Sequence, residues 1–204
     1  MQKKEPIFKS VFNEQWDNLP PIMLKHYANR PYSNDSYIAT GKMDIEFSWL
    51  MQIAAPLLTL FGTLVPIKGR DIKTTVTFNS EIDSPAFRLD RIFNFDDKKP
   101  FVFESKLIQV EKNIMLEIMK SGICWKHQFS FEDNKVVLKH IGYYVLIFEK
   151  LIPLPISWLF GKGYAEEWAI SDNEFKMKMM IEHPIFGTIY TYSGQFKIED
   201  KANE

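Results

Sequence analysis

The sequence predicts an all-β fold with a minor α component: about ten antiparallel strands in a meander, curled or closed into a barrel. A short helical arm precedes it and two apolar connections containing proline and glycine interrupt it. Three observations lead there. From Tyr37 onward, apolar and polar residues alternate with a period of two through most of the chain, as half-buried strands require. Four short connections, Lys112-Asn113, Ser121-Gly122, Asp133-Asn134 and Asp172-Asn173, have the residue types of two-residue hairpin turns. The run from Phe47 to Ile67, FSWLMQIAAPLLTLFGTLVPI, carries no charge over 21 residues and stands apart from the alternating segments around it.

Taken in order, the first 35 residues read as a mostly non-sheet arm. Ser10 is the expected helix cap there, Pro20-Pro21 a break, and Ile22, Met23, Leu24 and Tyr27 mark a short second helix. The first strand begins at Tyr37: Tyr37, Ala39, Met43, Ile45 and Phe47 alternate with Ser36, Thr40, Lys42, Asp44 and Glu46. The charge-free run that follows is long enough to cross a bilayer. Pro56, Gly62 and Pro66 interrupt or end it and Gln52 lies within it, which fits two short helices, or a helix and a turn, better than one straight span. A buried connection, an apolar lid over a pocket or on a membrane surface, and a membrane span all stay open. Further strands are expected near 72–80, 87–95, 101–111, 114–121, 123–132, 135–147, 163–171, 174–182 and 188–198.

A second apolar connection runs from Leu146 to Tyr164, where Pro153 and Pro155 prevent a continuous strand. The two connections carry Trp49 and Trp158. They either cap one barrel end as a portal or pack on the outside of the sheet or on each other. No repeat or linker divides the chain, so residues 1–204 are read as one domain.

Two-residue turns fix register, and register decides which side chains share the inner face. Taken so, Ile118 faces Trp125, Leu116 faces His127, His127 faces His140, Phe129 faces Leu138, Trp168 faces Met177 and Ile170 faces Phe175. Placing Phe93 opposite Phe103 adds Phe87, Leu89 and Phe95, with Leu107 beyond, while Glu117 and Lys126 meet as an outer charge pair. The same registers put Arg91, Ser105, His127, His140, Glu166, Tyr164, Tyr190 and Tyr192 among the apolar inner residues. A buried guanidinium needs a carboxylate or a bound anion. Arg91 is therefore expected either to pair with Glu166 or to receive the anionic head group of a ligand whose tail lies along aromatic walls.

Composition excludes several functions. Lysine and arginine total 25 against 26 acidic residues, which leaves no basic field for a nucleic acid. The single Cys124 cannot form an internal disulfide, and MQKKEPIFKS lacks the apolar core of a signal peptide. A reducing cytoplasm is the expected compartment, with membrane association as the alternative if the apolar run faces lipid. No nucleophile elbow, phosphate loop or dinucleotide fingerprint is present, and no cofactor is expected. His127 and His140 supply two imidazoles but no third ligand at a diagnostic spacing, so no metal site is assigned. His183-Pro184 reads as loop punctuation, with Gly187 permitting a tight return.

Several short motifs carry a family resemblance: Leu19-Pro20, Val65-Pro66, Arg91-x-Phe93, Leu154-Pro155 followed by Glu166, and His183-Pro184-x-x-Gly187 leading to Tyr192-x-Gly194. Over about residues 15–198 the chain resembles the bacterial family called domain of unknown function 4166, with Leu89 standing where the family pattern has tryptophan. The resemblance implies the domain boundaries, draws attention to Arg91, Glu166 and Tyr192, and brings no catalytic residue with it.

The reading that best joins these features is a non-enzymatic binding domain for a small apolar or amphiphilic molecule. Its ligand residues are Arg91, Ser105, His127, His140, Glu166, Tyr190 and Tyr192, and Trp49 and Trp158 form its portal. Two alternatives stay open: a hydrolase or isomerase of a hydrophobic small molecule with His127 or His140 as base, and a cavity-free module that docks on a membrane or partner protein. Nothing in the pattern fixes an oligomeric state.

Overall fold

A computed structural model describes residues 4–96 and 98–199. The arm holds α1 (Ile7–Phe12), a 3-10 turn (Asn13–Asn18) and α2 (Pro21–His26). Ser10 is not the cap expected of it. It lies within α1, where its hydroxyl donates to the Ile7 carbonyl at 3.0 Å, and the chain enters the helix through Pro6.

The strands are β1 (Ser36–Phe47), β2 (Gly69–Glu81), β3 (Ser84–Asn94), β4 (Phe101–Glu111), β5 (Ile114–Met119), β6 (Ile123–Glu132), β7 (Lys135–Ile147), β8 (Lys150–Leu154), β9 (Lys162–Ala169), β10 (Glu174–His183) and β11 (Gly187–Ile198). Their order is β6-β5-β4-β3-β2-β1-β11-β10-β9-β7, and β7 pairs again with β6, so ten antiparallel strands close on themselves. Closure removes the edges of these ten strands, which would otherwise template association. Close approach at the β1–β11 seam requires glycine: a Cβ on Gly194 would fall 2.6 Å from the Lys42 carbonyl oxygen and 3.0 Å from the Phe196 ring.

The eleventh strand, β8, was not expected. β7 pairs with β9 through Lys135–Lys139 and with β8 through Tyr143–Ile147, across a turn in which Phe148 and Glu149 both have positive φ. Neither residue is a usual occupant of that conformation, so the turn leaves little trace in sequence. By contrast Asp133 and Asn134, at φ 50° and 60°, make the turn that their types predict.

Two connections depart from the two-residue reading, and each inverts a strand. Between β5 and β6 the turn holds Lys120, Ser121 and Gly122, the last at φ 81° with its N–H bonded to the Met119 carbonyl at 2.9 Å. Ile118 therefore faces Cys124 and Leu116 faces Lys126, rather than Trp125 and His127. Between β9 and β10 the loop spans Ile170–Asn173, where the Ile170 and Ser171 amides share the Glu174 carbonyl. Trp168 consequently faces Lys176, and Phe175 faces Ala169. A one-residue slip moves a strand's whole inner set to the other face. Phe93 pairs with Phe101 rather than Phe103, a slip of two that keeps the face. The His127–His140 and Phe129–Leu138 pairs stand as expected.

The arm closes one barrel end from inside. Phe8, Ile22 and Met23 are fully buried, and the Phe8 ring lies 5.0 Å from Phe87 and 5.4 Å from Phe129. At the other end, beyond Phe47, α3 (Trp49–Phe61) and α4 (Ser157–Phe160) lie over the opening. α3 is one helix of 13 residues with Pro56 inside, closed by Gly62 at φ 57°. It measures about 20 Å at 1.5 Å per residue, short of the roughly 30 Å hydrocarbon core. No helix among the described residues is long and apolar enough to cross a membrane, so the span reading of Phe47–Ile67 is set aside.

Candidate functional site

Alternation along β3, β4 and β5 brings Arg91, Ser105 and Glu117 to one place on the inner wall. Arg91 donates through Nη1 to the Ser105 hydroxyl at 3.0 Å and through Nη2 to Glu117 Oε1 at 3.0 Å, while Ser105 donates to the same carboxylate oxygen at 2.6 Å. The guanidinium also lies 4.8 Å from the Phe103 ring centroid, within cation–π range. Burial disfavours both charges. The pair outweighs it: Arg91 is raised and Glu117 is lowered relative to their ordinary pKa values, each in the direction that keeps the ion pair charged.

The carboxylate beside Arg91 is thus Glu117, expected outside, and not Glu166. Glu166 lies on the opposite face of β9 with Tyr164, where Lys135 donates to it at 3.0 Å and the Tyr164 hydroxyl at 3.3 Å. The inner residue of that strand is its neighbour Glu167, which accepts a bond from the Tyr27 hydroxyl and lies 3.7 Å from His26 Nε2. Lys126, expected as Glu117's partner, instead lies 3.6 Å from Glu111.

His127 is fully buried; its Nδ1 lies 3.2 Å from the Trp125 carbonyl and its Nε2 has no partner among the described residues. Burial pushes its pKa down to about 4 despite the nearby Glu117. His140 is half-buried and accepts the Trp125 indole N–H on Nδ1 at 2.9 Å, which leaves Nε2 to donate to Ser157 Oγ at 2.9 Å. Desolvation and Lys162 lower its pKa to about 4. Both imidazoles are neutral at pH 7, and no group of three metal-binding side chains occurs among the described residues. Tyr190 is buried and donates to the Val65 carbonyl at 3.0 Å, which ties the segment after α3 to the barrel. Tyr192 faces inward, and burial pushes its phenol up to about 12.

These walls border two adjoining, partly open spaces. The first, of about 90 Å3, is partly polar: Arg91, Glu117, Glu167, His26, Tyr27 and Tyr192 line it among Phe and Met side chains. The second, of about 270 Å3, is almost wholly apolar and lies under both helical connections: Met51, Leu58 and Phe61 come from α3 and its end, Ile156 and Phe160 from the second connection, and Met119 and Ile181 from the sheet. Trp125 and Met179 line both spaces. Ser105, His127, His140, Glu166 and Tyr190 line neither, and Trp49 and Trp158 project outward, 65% and 69% exposed.

Sequence reasoning missed Glu117, Glu167, His26 and Tyr27. The signal for Glu117 was Gly122, whose conformational freedom suits the third position of a three-residue hairpin as well as the second of a two-residue one. His26 and Tyr27 had no such signal, because only the tertiary path of the arm brings them inside.

Over 96% of its length the chain is 27% identical to "Uncharacterized protein YndH" of Bacillus subtilis (strain 168), of which it covers 97%. Among solved structures it is similar to the S-type phycobiliprotein lyase CPES from Guillardia theta, at 10% identity and a TM-score of 0.42, with 94% of this chain and 98% of that one covered. Residues 19–196, which take in the entire barrel apart from the last two residues of β11, match the family described as Domain of unknown function (DUF4166), and the chain belongs to that family.

Proposed function

We propose that this protein holds a small apolar or amphiphilic molecule inside its barrel, without chemistry, and that α3 and the second apolar connection form the cover through which it enters. The observation that carries this reading is the apolar space of about 270 Å3 beneath the two connections. Engineered apolar cavities of about 150 Å3 stay dry and take up benzene, and small-molecule sites begin near 300 Å3. The space therefore suits a ligand somewhat larger than one ring. Arg91, already paired with Glu117 and Ser105, stiffens the wall beside it rather than standing free for an anion. Base catalysis by His127 or His140 draws no support from their positions, since neither lines either space.

Extraction of the natively purified protein into organic solvent, followed by mass spectrometry, tests the proposal together with titration of a neutral naphthalene fluorophore. A stoichiometric small molecule, or saturable uptake of the fluorophore, supports it. The absence of both would end it.

A second reading, peripheral docking of the covered end on a membrane surface, is favoured by one observation: Trp49, Leu60, Phe148 and Trp158 are all exposed on the connections at that end. Trp49→Asp and Trp158→Asp would then abolish sedimentation with phospholipid vesicles while naphthalene uptake persists. Equal sedimentation of parent and variants removes this reading.

A further inference from the structure

The polar space has an uneven charge balance. Among the described residues that line it, Arg91 is the one lysine or arginine, and Glu117 already neutralises it at 3.0 Å. Glu167 is left with the Tyr27 hydroxyl, a neutral donor, and with His26 Nε2 at 3.7 Å, too long for a hydrogen bond. His26 is buried among Tyr27, Phe78 and Phe175, and its Nδ1 has no hydrogen-bond partner among the described residues. Burial lowers the pKa of His26, and Arg91 adds to the effect while Glu167 opposes it, so the ring is neutral at pH 7. With its proton on the enclosed Nδ1, Nε2 is an acceptor 3.7 Å from the Glu167 carboxylate, close enough for one donor group to reach both. The lining thus offers the Glu167 carboxylate, the His26 Nε2 acceptor beside it and the Tyr192 side chain. A largely enclosed carboxylate whose nearest cation, Arg91, is already bonded to Glu117, and an acceptor without a donor, are both unfavourable as they stand.

We propose that this acceptor-rich space receives a primary ammonium head group, paired with Glu167 and bonded to His26 and Tyr192, while the ligand's apolar tail passes Trp125 and Met179 into the space under α3. The inference rests on the reading that the larger space takes up an apolar molecule. It reverses the head-group charge that Arg91 alone suggests: with Arg91 neutralised by Glu117, an anion would meet Glu167 without a countercharge. An ammonium supplies three donors and fits a space of about 90 Å3, the volume of roughly three water molecules.

Octylamine, octanol and octanoate share one tail and differ in head group, so their equilibrium binding to the whole chain at pH 7, with naphthalene as a tail-only reference, separates the two claims. The expected order is octylamine, octanol, octanoate, with at least tenfold between the first and last. In Glu167→Gln the octylamine-to-octanoate ratio falls at least tenfold. Octanoate binding as tightly as octylamine, or an unchanged ratio in Glu167→Gln, overturns the ammonium assignment; if naphthalene still binds, the apolar chamber survives that result. Binding of none of the four overturns both. Should Glu167→Gln fail to fold, the order measured on the parent chain decides alone.

Discussion

Replacing Arg91 with leucine leaves the Glu117 carboxylate buried with only the Ser105 hydroxyl at 2.6 Å to hold it. Breaking a buried ion pair from one side costs about 3 to 5 kcal/mol, because the remaining charge keeps its desolvation penalty and loses its partner. At roughly 2 to 4 °C per kcal/mol for a chain of this size, Arg91→Leu should lower Tm by about 6 to 20 °C. Adding Glu117→Leu removes the stranded charge and should recover most of the loss, a coupling of about 2 kcal/mol or more. Adding Glu166→Leu should recover nothing, since Glu166 is bonded to Lys135 on the other face. The pH dependence also changes sign. In the parent, Glu117 has a lowered pKa, so its contribution is present above its unfolded value and is lost as pH falls through the folded one. In Arg91→Leu, burial loses its main opponent and only the lesser effects of His127 and the Ser105 hydrogen bond remain against it, so that pKa rises and the variant's deficit should shrink as pH falls. Thermal and urea unfolding of the four proteins, followed by tryptophan fluorescence, measures all of this. A Tm for Arg91→Leu within about 2 °C of the parent, or recovery by Glu166→Leu in place of Glu117→Leu, would refute the reasoning.

Other substitutions probe the remaining parts of the wall. His127, with its pKa lowered to about 4 from 6.5, contributes stability that is full above pH 6.5 and lost as pH falls toward 4, of order 3 kcal/mol; His127→Phe should make urea-unfolding free energies fall less steeply across that interval, the remaining slope coming from His140 and His26. Tyr190→Phe removes the bond to the Val65 carbonyl and should cost about 1 to 3 kcal/mol, because the carbonyl is left without its partner. Met51 is one of the two α3 side chains buried against the barrel, so Met51→Asp should lift the helix and lower naphthalene affinity at least tenfold, with the far-ultraviolet circular dichroism of the barrel retained.

Much of the fold is written in the period-two pattern, because each strand presents one face to a single interior. Ala39, Met43 and Ile45, or Phe87, Leu89 and Phe93, could hardly alternate otherwise. Face assignment is more fragile than strand assignment, since it depends on counting turn residues. The inner polar group shows the consequence. Arg91 and Ser105 were placed correctly from β3 and β4, whose register error was even. Glu117 and Glu166 were exchanged for their opposite faces by odd errors at Gly122 and at Asp172-Asn173. Adjacent carboxylates at 166 and 167 made the second error costly, since either could have served as an inner acid. The apolar connections were legible as a cover for one end, but β8 was not, because its turn places Phe148 and Glu149 at positive φ without glycine or asparagine. The contribution of the arm to the chamber through His26 and Tyr27 is a tertiary event that local pattern does not encode.

The methionine methyl groups report on the central claim, occupation of the apolar space under α3, more directly than any other signal. Met51, Met119 and Met179 line that space, whereas Met23 and Met115 are buried elsewhere. In a protein with 13C-labelled methionine methyls, titration with naphthalene should shift the resonances of Met51, Met119 and Met179 saturably and leave those of Met23 and Met115 in place. Unmoved resonances at all three lining methionines, under naphthalene concentrations at the limit of its solubility, would contradict the account.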